Sequence, residues 1–373
     1  MPDNTAVWLL PKGAGFEIGP APYTPPGGNE IVVRNHAIAI NPVDWLAPAF
    51  GGFVFPWIKP PFVIGSDVAG EVVEIGDGVT RFKVGDRVLG HAVGPDKGRN
   101  RAAEGAFQQY TVLLDFMATP IPEGMSYETA AVLPLGLSTA ACGLFEKDFL
   151  ALDHPSANPE PTGKTLLIWG GSTSVGSNAI QLATAAGYEV FTTASPKNFD
   201  YVKGLGAVAA FDYASPTVVK DLVAALSGKT LAGALAIGLG SSEACLDVVH
   251  ACPGTKFVAL ASTSVSFADV PPGPLKPSVL VPLLARFMIA GVSLALVARL
   301  RGIKTHFIFG SSLIHNEVGP MIYDTFLPSA LAEGRYKAAP DPIVVSGEGL
   351  AGIFTGLELQ RRGVSARKVV VSV

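Results

Sequence analysis

The sequence predicts an α/β chain whose β-rich front leads into a doubly wound parallel sheet. Three observations carry that expectation. Up to about Ala130, short apolar runs are separated by glycine and proline turns such as Pro25-Pro26-Gly27-Gly28. From Tyr127 strands alternate with helical segments, which implies a mostly parallel sheet covered on both faces. Within that second part, Thr165 to Ser195 reads as strand, glycine turn, helix and strand, a βαβ unit.

Taken in order, the front contributes expected strands at Glu30 to Ile40, Asp67 to Ile75, Arg87 to Gly90 and Phe107 to Leu113. A proline-rich stretch, His154 to Pro161, reads as a surface excursion before the parallel sheet begins. The sheet's expected strands are Thr165 to Trp169, Glu189 to Thr193, Val208 to Phe211, Leu231 to Ile237, Lys256 to Leu260 and His306 to Phe309. Helical segments such as Ser215 to Leu226 and Glu243 to Ala251 lie between them. The stretch Val279 to Leu300 is the most apolar, but Pro282 and Arg286 interrupt it and Arg299 and Arg301 close it. We therefore expect a buried helix or an apolar contact surface rather than a membrane span. Helices around Met321 to Leu331 and Gly349 to Arg362 and a last strand, Lys368 to Val373, complete the chain.

Composition narrows the function. With 373 residues, 49% of them hydrophobic and 16% charged, there is room for two well-buried domains. A net charge of −4 without a basic stripe argues against a nucleic-acid partner. Cys142, Cys245 and Cys252 are spaced for neither a disulfide framework nor a zinc knuckle. With so few cysteines a reducing cytosol is the expected compartment, and the start MPDNTAVWLLPKG, without a basic n-region or an apolar core ending in a cleavage site, is not read as a signal peptide.

The glycine turn carries the first chemistry. After Thr165 to Trp169 come Gly170 and Gly171, and Ser172 to Gly176 opens a helix whose Val175, Ile180, Leu182 and Ala183 can face a sheet. A helix starting there points backbone N–H groups and the positive end of its dipole outward, which suits a pyrophosphate. The usual G-x-G-x-x-G pattern is incomplete, because Thr173 stands between Gly171 and Gly176. A P-loop is excluded, since no Gly-Lys-Ser/Thr follows. A serine elbow at Ser172 is disfavoured, since Ser174 stands in place of its second glycine. Beyond the second strand, Ser195-Pro196-Lys197 holds no acid for a ribose 2′-hydroxyl, whereas Ser195 and Lys197 offer a donor and a cation to a 2′-phosphate. The expected cofactor is NADPH, on a Rossmann-type domain.

The whole arrangement resembles the medium-chain dehydrogenase/reductase superfamily. The resemblance is carried by Ile40-Asn41-Pro42-Val43-Asp44, Gly65 to Val73, Val84-Gly85-Asp86-Arg87-Val88, Leu135 to Ala140, and Gly363 with Lys368-Val369-Val370. Within it the chain is similar to the zinc-independent quinone and enoyl reductase branch, especially fungal CipB-like proteins and trans-acting enoyl reductases of polyketide pathways. The resemblance implies a GroES-like catalytic domain in residues 1–130, an NADPH-binding Rossmann domain in 131–311, and a return segment, 312–373, completing the first.

Residue types exclude the zinc chemistry of other branches. Zinc-dependent relatives carry a cysteine at Asp44 and a His-Glu pair at Ser66-Asp67; neither is present, and no cysteine precedes Cys142, so no metal is expected. His36 and His91 read as core or surface residues. By resemblance, Thr139 lies near the nicotinamide as a hydrogen-bond donor, and Asn41 and Asp44 lie on the catalytic domain. Gly171, Ser172, Thr173, Ser174 and Val175 wrap the pyrophosphate. Ser195, Lys197 and Tyr213 surround the 2′-phosphate, and Leu260, Ala261, Phe309, Gly310 and Ser311 line the nicotinamide. Trp45, Phe50, Phe53, Phe55 and Trp57 suit a small hydrophobic carbonyl or quinone substrate.

One departure stands out: many enoyl reductase relatives place a lysine where this chain has Leu46, leaving Lys59 or water to supply a proton. The expected activity is hydride transfer from NADPH to an α,β-unsaturated carbonyl or quinone. The alternatives are a weakly active or inactive NADPH-binding partner and an enoyl reductase acting in trans on a carrier-bound polyketide. Monomer and homodimer are both compatible with the sequence.

Overall fold

Short β-branched runs punctuated by glycine account for the first elements of the chain. In the computed structural model, which describes residues 2–267, 270 and 275–373, strands β1 (Asn4–Leu9) and β2 (Phe16–Ala21) form a hairpin. After β3 (Glu30–Ala39) comes helix α1 (Pro42–Val54), then β4 (Phe62–Val63), β5 (Asp67–Ile75), β6 (Arg87–His91), β7 (Tyr110–Leu114) and β8 (Ala118–Pro120). Helix α1 is absent from the sequence expectation, although its start is written there. Pro42 takes the first helical position, where no N–H is needed, and Asp44 accepts the Asn41 N–H. The strand expected from Phe107 begins instead at Tyr110. The backbone of residues 105–108 is engaged elsewhere, as in Phe107 N–H to Ile64 O and Val7 N–H to Phe107 O.

Helices α2 (Tyr127–Ala130) and α3 (Pro134–Phe145) lead to the alternating part. There β9 (Lys164–Trp169), α4 (Ser174–Ala185), β10 (Glu189–Ala194), α5 (Phe199–Gly204), β11 (Ala209–Asp212), α6 (Val218–Ala225), β12 (Thr230–Ala236), α7 (Ser241–Ala251), β13 (Phe257–Leu260), α8 (Pro277–Leu300) and β14 (Lys304–Phe307) follow in turn. All six strands pair in parallel in the order β11-β10-β9-β12-β13-β14. That is a doubly wound Rossmann sheet, with its topological switch point between β9 and β12. The last strand begins two residues before its expected start, because Lys304 already pairs with Phe257.

Of the two expectations for Val279 to Leu300, helix α8 overturns the buried helix. Only Leu283 and Ala298 are buried along it, whereas Met288 is 70% and Leu300 77% exposed. With a mean hydropathy of 2.2 over its most apolar window it is long and apolar enough to cross a membrane, and it lies on the surface of its unit.

The chain ends with two short helices, α9 (Val318–Pro320) and α10 (Leu327–Ala332), joined by a π-helical turn. Then come β15 (Pro342–Val345), α11 (Gly352–Arg362) and β16 (Lys368–Ser372). Here the return segment builds the front's main sheet, in the order β15-β16-β3-β5-β6-β8 with β7 also paired to β3. The chain thus forms two units. Of the described residues, one takes 2–135, 270, 275–276 and 314–373, with a core that includes Ile31, Val33, Ile38, Val68, Val72, Phe107, Ile353, Val369 and Val371. The other takes 136–267 and 277–313, with a core that includes Leu167, Trp169, Leu231, Leu246 and Val258.

Candidate functional site

In the parallel-sheet unit the glycine turn sits at the carboxyl end of β9, at the switch point. Gly170 has φ +86°, and a Cβ on Gly176 would lie 2.2 Å from the Gly170 carbonyl oxygen, so neither position tolerates a side chain. Thr173, the departure from the fingerprint, is the N-cap of α4. Its Oγ1 accepts the Gly176 N–H at 3.0 Å and donates to the Gly170 carbonyl at 2.8 Å. The threonine side chain is thereby folded back into the turn it terminates.

Beneath the turn, Ser177 Oγ and Tyr201 Oη lie 2.8 Å apart and Ser177 donates to Gly171 O, so a buried serine braces the same segment. At the neighbouring strand ends Ser195 Oγ donates to Tyr213 Oη at 3.2 Å, since β10 and β11 run in parallel and end side by side. Lys197 is exposed in the short turn after β10. Asp212, the nearest carboxylate on β11, accepts the N–H of Ala214.

Helix α3 approaches this turn closely. A Cβ on Gly136 would fall 2.4 Å from Ser174 Oγ, and one on Gly310 would fall 2.9 Å from Thr139 Oγ1. Ser174, Thr139 and Gly310, far apart in sequence, thus converge in one unit. Leu260 and Ala261 close β13, where Leu260 accepts the Ile308 N–H and Ala261 donates to Ala236. Phe309 is exposed, with Gly310 and Ser311 in the helical turn after it.

The β-rich unit holds a second group. Four adjacent strands, β16, β3, β5 and β6, bring Lys368, Asn41, Asp67 and His91 to one end of the sheet. Ile40 donates to Val369, and Asp67 stands opposite both Ala39 and His91. Lys368, Asn41, Asp67, His91 and Asp44 are all buried. Lys368 Nζ lies 2.9 Å from Asp67 Oδ2 and donates to Asn41 Oδ1. Asn41 Nδ2 donates to Asp67 Oδ2 at 2.7 Å, and the Leu135 N–H donates to Asp67 Oδ1.

Burial pushes the Asp44 carboxyl up to about 7; negative Asp67 adds to the rise, while the Asn41 N–H and Lys368 oppose it. Burial also pushes the His91 imidazole down to about 4, so it is neutral in the folded protein. Among the described residues no cluster of three His, Cys, Asp or Glu has the arrangement of a metal site.

Of the expected aromatic group, Phe50 is buried and Trp45 packs on the core. Phe55 and Trp57 meet edge to face at 6.0 Å, and Phe53 is exposed. Leu46 is half-buried on α1 and Lys59 is exposed. Asp67, His91 and Lys368 are the residues that sequence reasoning did not place in a site. The available signal was a charged residue at the start of a strand otherwise reading Val-Val-Val or Val-Ala-Gly, since a buried charge requires a partner.

A family model for the alcohol dehydrogenase GroES-like domain matches residues 27–123. Over the whole chain, the dehydrogenase pigH of Monascus ruber is 52% identical across 374 residues, covering 100% of both proteins. The chain belongs to the medium-chain dehydrogenase/reductase superfamily, in the branch of the fungal CipB-like proteins and enoyl reductases. It is an oxidoreductase of that type. The trans-enoyl reductase himH of Aspergillus japonicus is 36% identical over 380 residues, covering 99% of this chain and 97% of its own. Among solved structures, mycobacterial Rv1454c complexed with NADPH shares the fold, with a TM-score of 0.67 at 19% identity over 99% of this chain and 100% of that one.

Proposed function

We propose that this medium-chain reductase is NADPH-dependent and zinc-independent, and that it passes hydride to an α,β-unsaturated carbonyl or quinone-type acceptor. The carrying observation is the end of β10. There Ser195 and Tyr213 share a hydrogen bond and Lys197 follows, with no acid where a ribose 2′-hydroxyl would be held. Two hydroxyls and an ammonium suit a 2′-phosphate, and a carboxylate would repel it. The glycine turn fits the rest of the cofactor. Because the Thr173 hydroxyl is committed to the cap, and the Gly171 and Thr173 N–H groups donate to Thr193 O and Gly170 O, a pyrophosphate over α4 would meet the N–H groups of Ser172 and Val175.

When bound, NADPH supplies the hydride. Leu260, Ala261, Phe309, Gly310 and Ser311 would hold the nicotinamide through backbone groups. In this reading the hydroxyl of Thr139, which lies beside Gly310, would donate to the acceptor oxygen as negative charge builds on it. In the β-rich unit the Asn41 amide donates to Asp67. With Leu46 lacking an acid, Asp44, held up to about 7, is the group there able to carry a proton at neutral pH.

The likeness to a protein named trans-enoyl reductase supports a narrower reading, in which the acceptor arrives on a carrier protein. NADPH oxidation measured against free enones, quinones and a carrier-bound enoyl thioester tests both readings. Turnover is expected with NADPH at least tenfold better than with NADH. Tight NADPH binding without turnover on any acceptor would refute the enzyme reading, and activity confined to the carrier-bound substrate would select the narrower one.

A further inference from the structure

We propose that the outward side of helix α8 docks the parallel-sheet unit on an anionic lipid surface, with the helix lying in the plane of the headgroups and not across the bilayer.

Helix α8 is the crossover between β13 and β14, two parallel neighbours, so one of its sides is held against the sheet. Leu283 and Ala298 are buried there, and Leu294 and Val297 pack on the core. On the side facing away, a surface helix carries charged and polar residues. Helix α7, on the same sheet, obeys that rule and turns Glu243, Asp247 and His250 outward. Helix α8 breaks it. Val281, Met288, Ile289, Val292, Leu296 and Leu300 are each more than half exposed. Their spacing sets them along one side of the helix for about 28 Å, at 1.5 Å per residue. A contiguous apolar stripe of that length marks a docking face.

Charge identifies what docks there. The whole chain is acidic, with 31 Asp and Glu against 27 Lys and Arg, yet residues 277–313 hold Arg286, Arg299, Arg301 and Lys304 and no acid. Asp247 engages Arg301. Arg286, Arg299 and Lys304 are exposed and have no ion-pair partner among the described residues. Helical spacing puts Arg299 on the apolar side in the last turn and Arg286 at its border. From such positions the stem of an arginine lies along apolar surface while its guanidinium reaches a phosphate. An anionic headgroup layer meets these cations, and the acyl boundary beneath it takes the apolar side. A second copy seated on the same face would set the cations against their own kind, with no carboxylate in the segment to receive them. Crossing the bilayer is closed to this helix, because its inner side stays on the sheet and the strands on either side of it in sequence pair with each other.

The test uses the full-length protein and flotation with unilamellar vesicles of phosphatidylcholine, alone or with about 30% phosphatidylserine. We expect binding to the anionic vesicles at least tenfold tighter than to the neutral ones, weakening as salt is raised. Each Lys or Arg near such a surface strengthens binding about fivefold, so Arg286→Gln with Arg299→Gln should bind roughly 25-fold more weakly. Met288→Asn with Val292→Asn should lose at least tenfold, because the acyl contact is gone. All four side chains are exposed, and both variants should keep the wild-type circular dichroism and unfolding midpoint. If one pair disturbs the fold, the other still decides. Wild-type protein that does not float, or that binds neutral and anionic vesicles alike, overturns the proposal. So does undiminished binding by either folded variant. Sedimentation velocity reads the rival occupant: a dimer that Met288→Asn with Val292→Asn dissociates, in protein that does not float, would assign the face to a second copy and overturn the lipid reading.

Discussion

Asp44→Asn probes the buried cluster through its protons. Between pH 4 and pH 7 folded Asp44 keeps a proton that unfolded Asp44, with its ordinary value of 3.8, has already released. Raising the pH through that window therefore favours the unfolded chain, and the effect stops above about 7, where both forms are ionised. A shift from 3.8 to about 7 corresponds to roughly 4 kcal/mol, at about 1.4 kcal/mol per unit. Asparagine keeps the oxygen that accepts the Asn41 N–H and the start of α1, and has no proton to lose.

The stability of the wild type minus that of the variant should accordingly fall by about 4 kcal/mol from pH 4 to pH 7 and then level. Urea unfolding at each pH, followed by tryptophan fluorescence, measures it. Trp8, Trp45 and Trp57 belong to the unit that holds Asp44, and only Trp169 lies in the other. Taking the difference removes the contribution of groups common to both proteins, His91 among them. His91 acts with the opposite sign: neutral in the fold down to about 4, it contributes stability that is lost as pH falls from 6.5. A difference that is flat across pH 4 to 7, or one that rises, would mean that Asp44 is ionised in the folded protein and would refute the reasoning.

Other outcomes follow from single contacts. Thr173→Ala removes the cap of α4 and should cost about 1 kcal/mol of stability, read as a lower urea midpoint of the Trp169 transition. Lys197→Ala should raise the KM for NADPH about tenfold, leave that for NADH unchanged, and lessen the salt dependence of NADPH binding. Thr139→Ala should lower kcat by roughly a hundredfold, the scale of one lost oxyanion donor, while Thr139→Ser retains most activity. Gly310→Ala forces a methyl to within 2.9 Å of Thr139 Oγ1 and should lower thermal stability by about 1–3 kcal/mol.

Local chemistry explains what was legible beforehand. The glycine turn, the helix after it and the acid-free end of β10 are features of neighbouring residues, so Ser172 to Val175 and Ser195 with Lys197 could be named from spacing and residue type. Strand β5 ran over its expected residues because a short, β-branched apolar run between the Gly65 and Gly76 turns reads as a strand, whose first four residues are buried in succession. Helix α1 was missed because its apolar and aromatic residues, with Pro48 inside, hide a helical period that the Asn41 and Asp44 cap nevertheless starts. For helix α8 the sequence left open a buried helix or an apolar contact surface, because apolar residues favour leaving water but only packing settles which of them do; here most stay exposed.

By itself the sequence determined the two kinds of architecture, the place of the dinucleotide turn and the absence of an acid beside it, because each depends on contacts within a few residues. Tertiary structure alone decided that Gly310 closes on Thr139, and that Lys368, three hundred positions from Asp67, neutralises it beside Asn41. The physical reason is that strand pairing joins residues without regard to their separation along the chain. A charge in an apolar strand announces that it needs a partner, and the sheet order of β16, β3 and β5 supplies it.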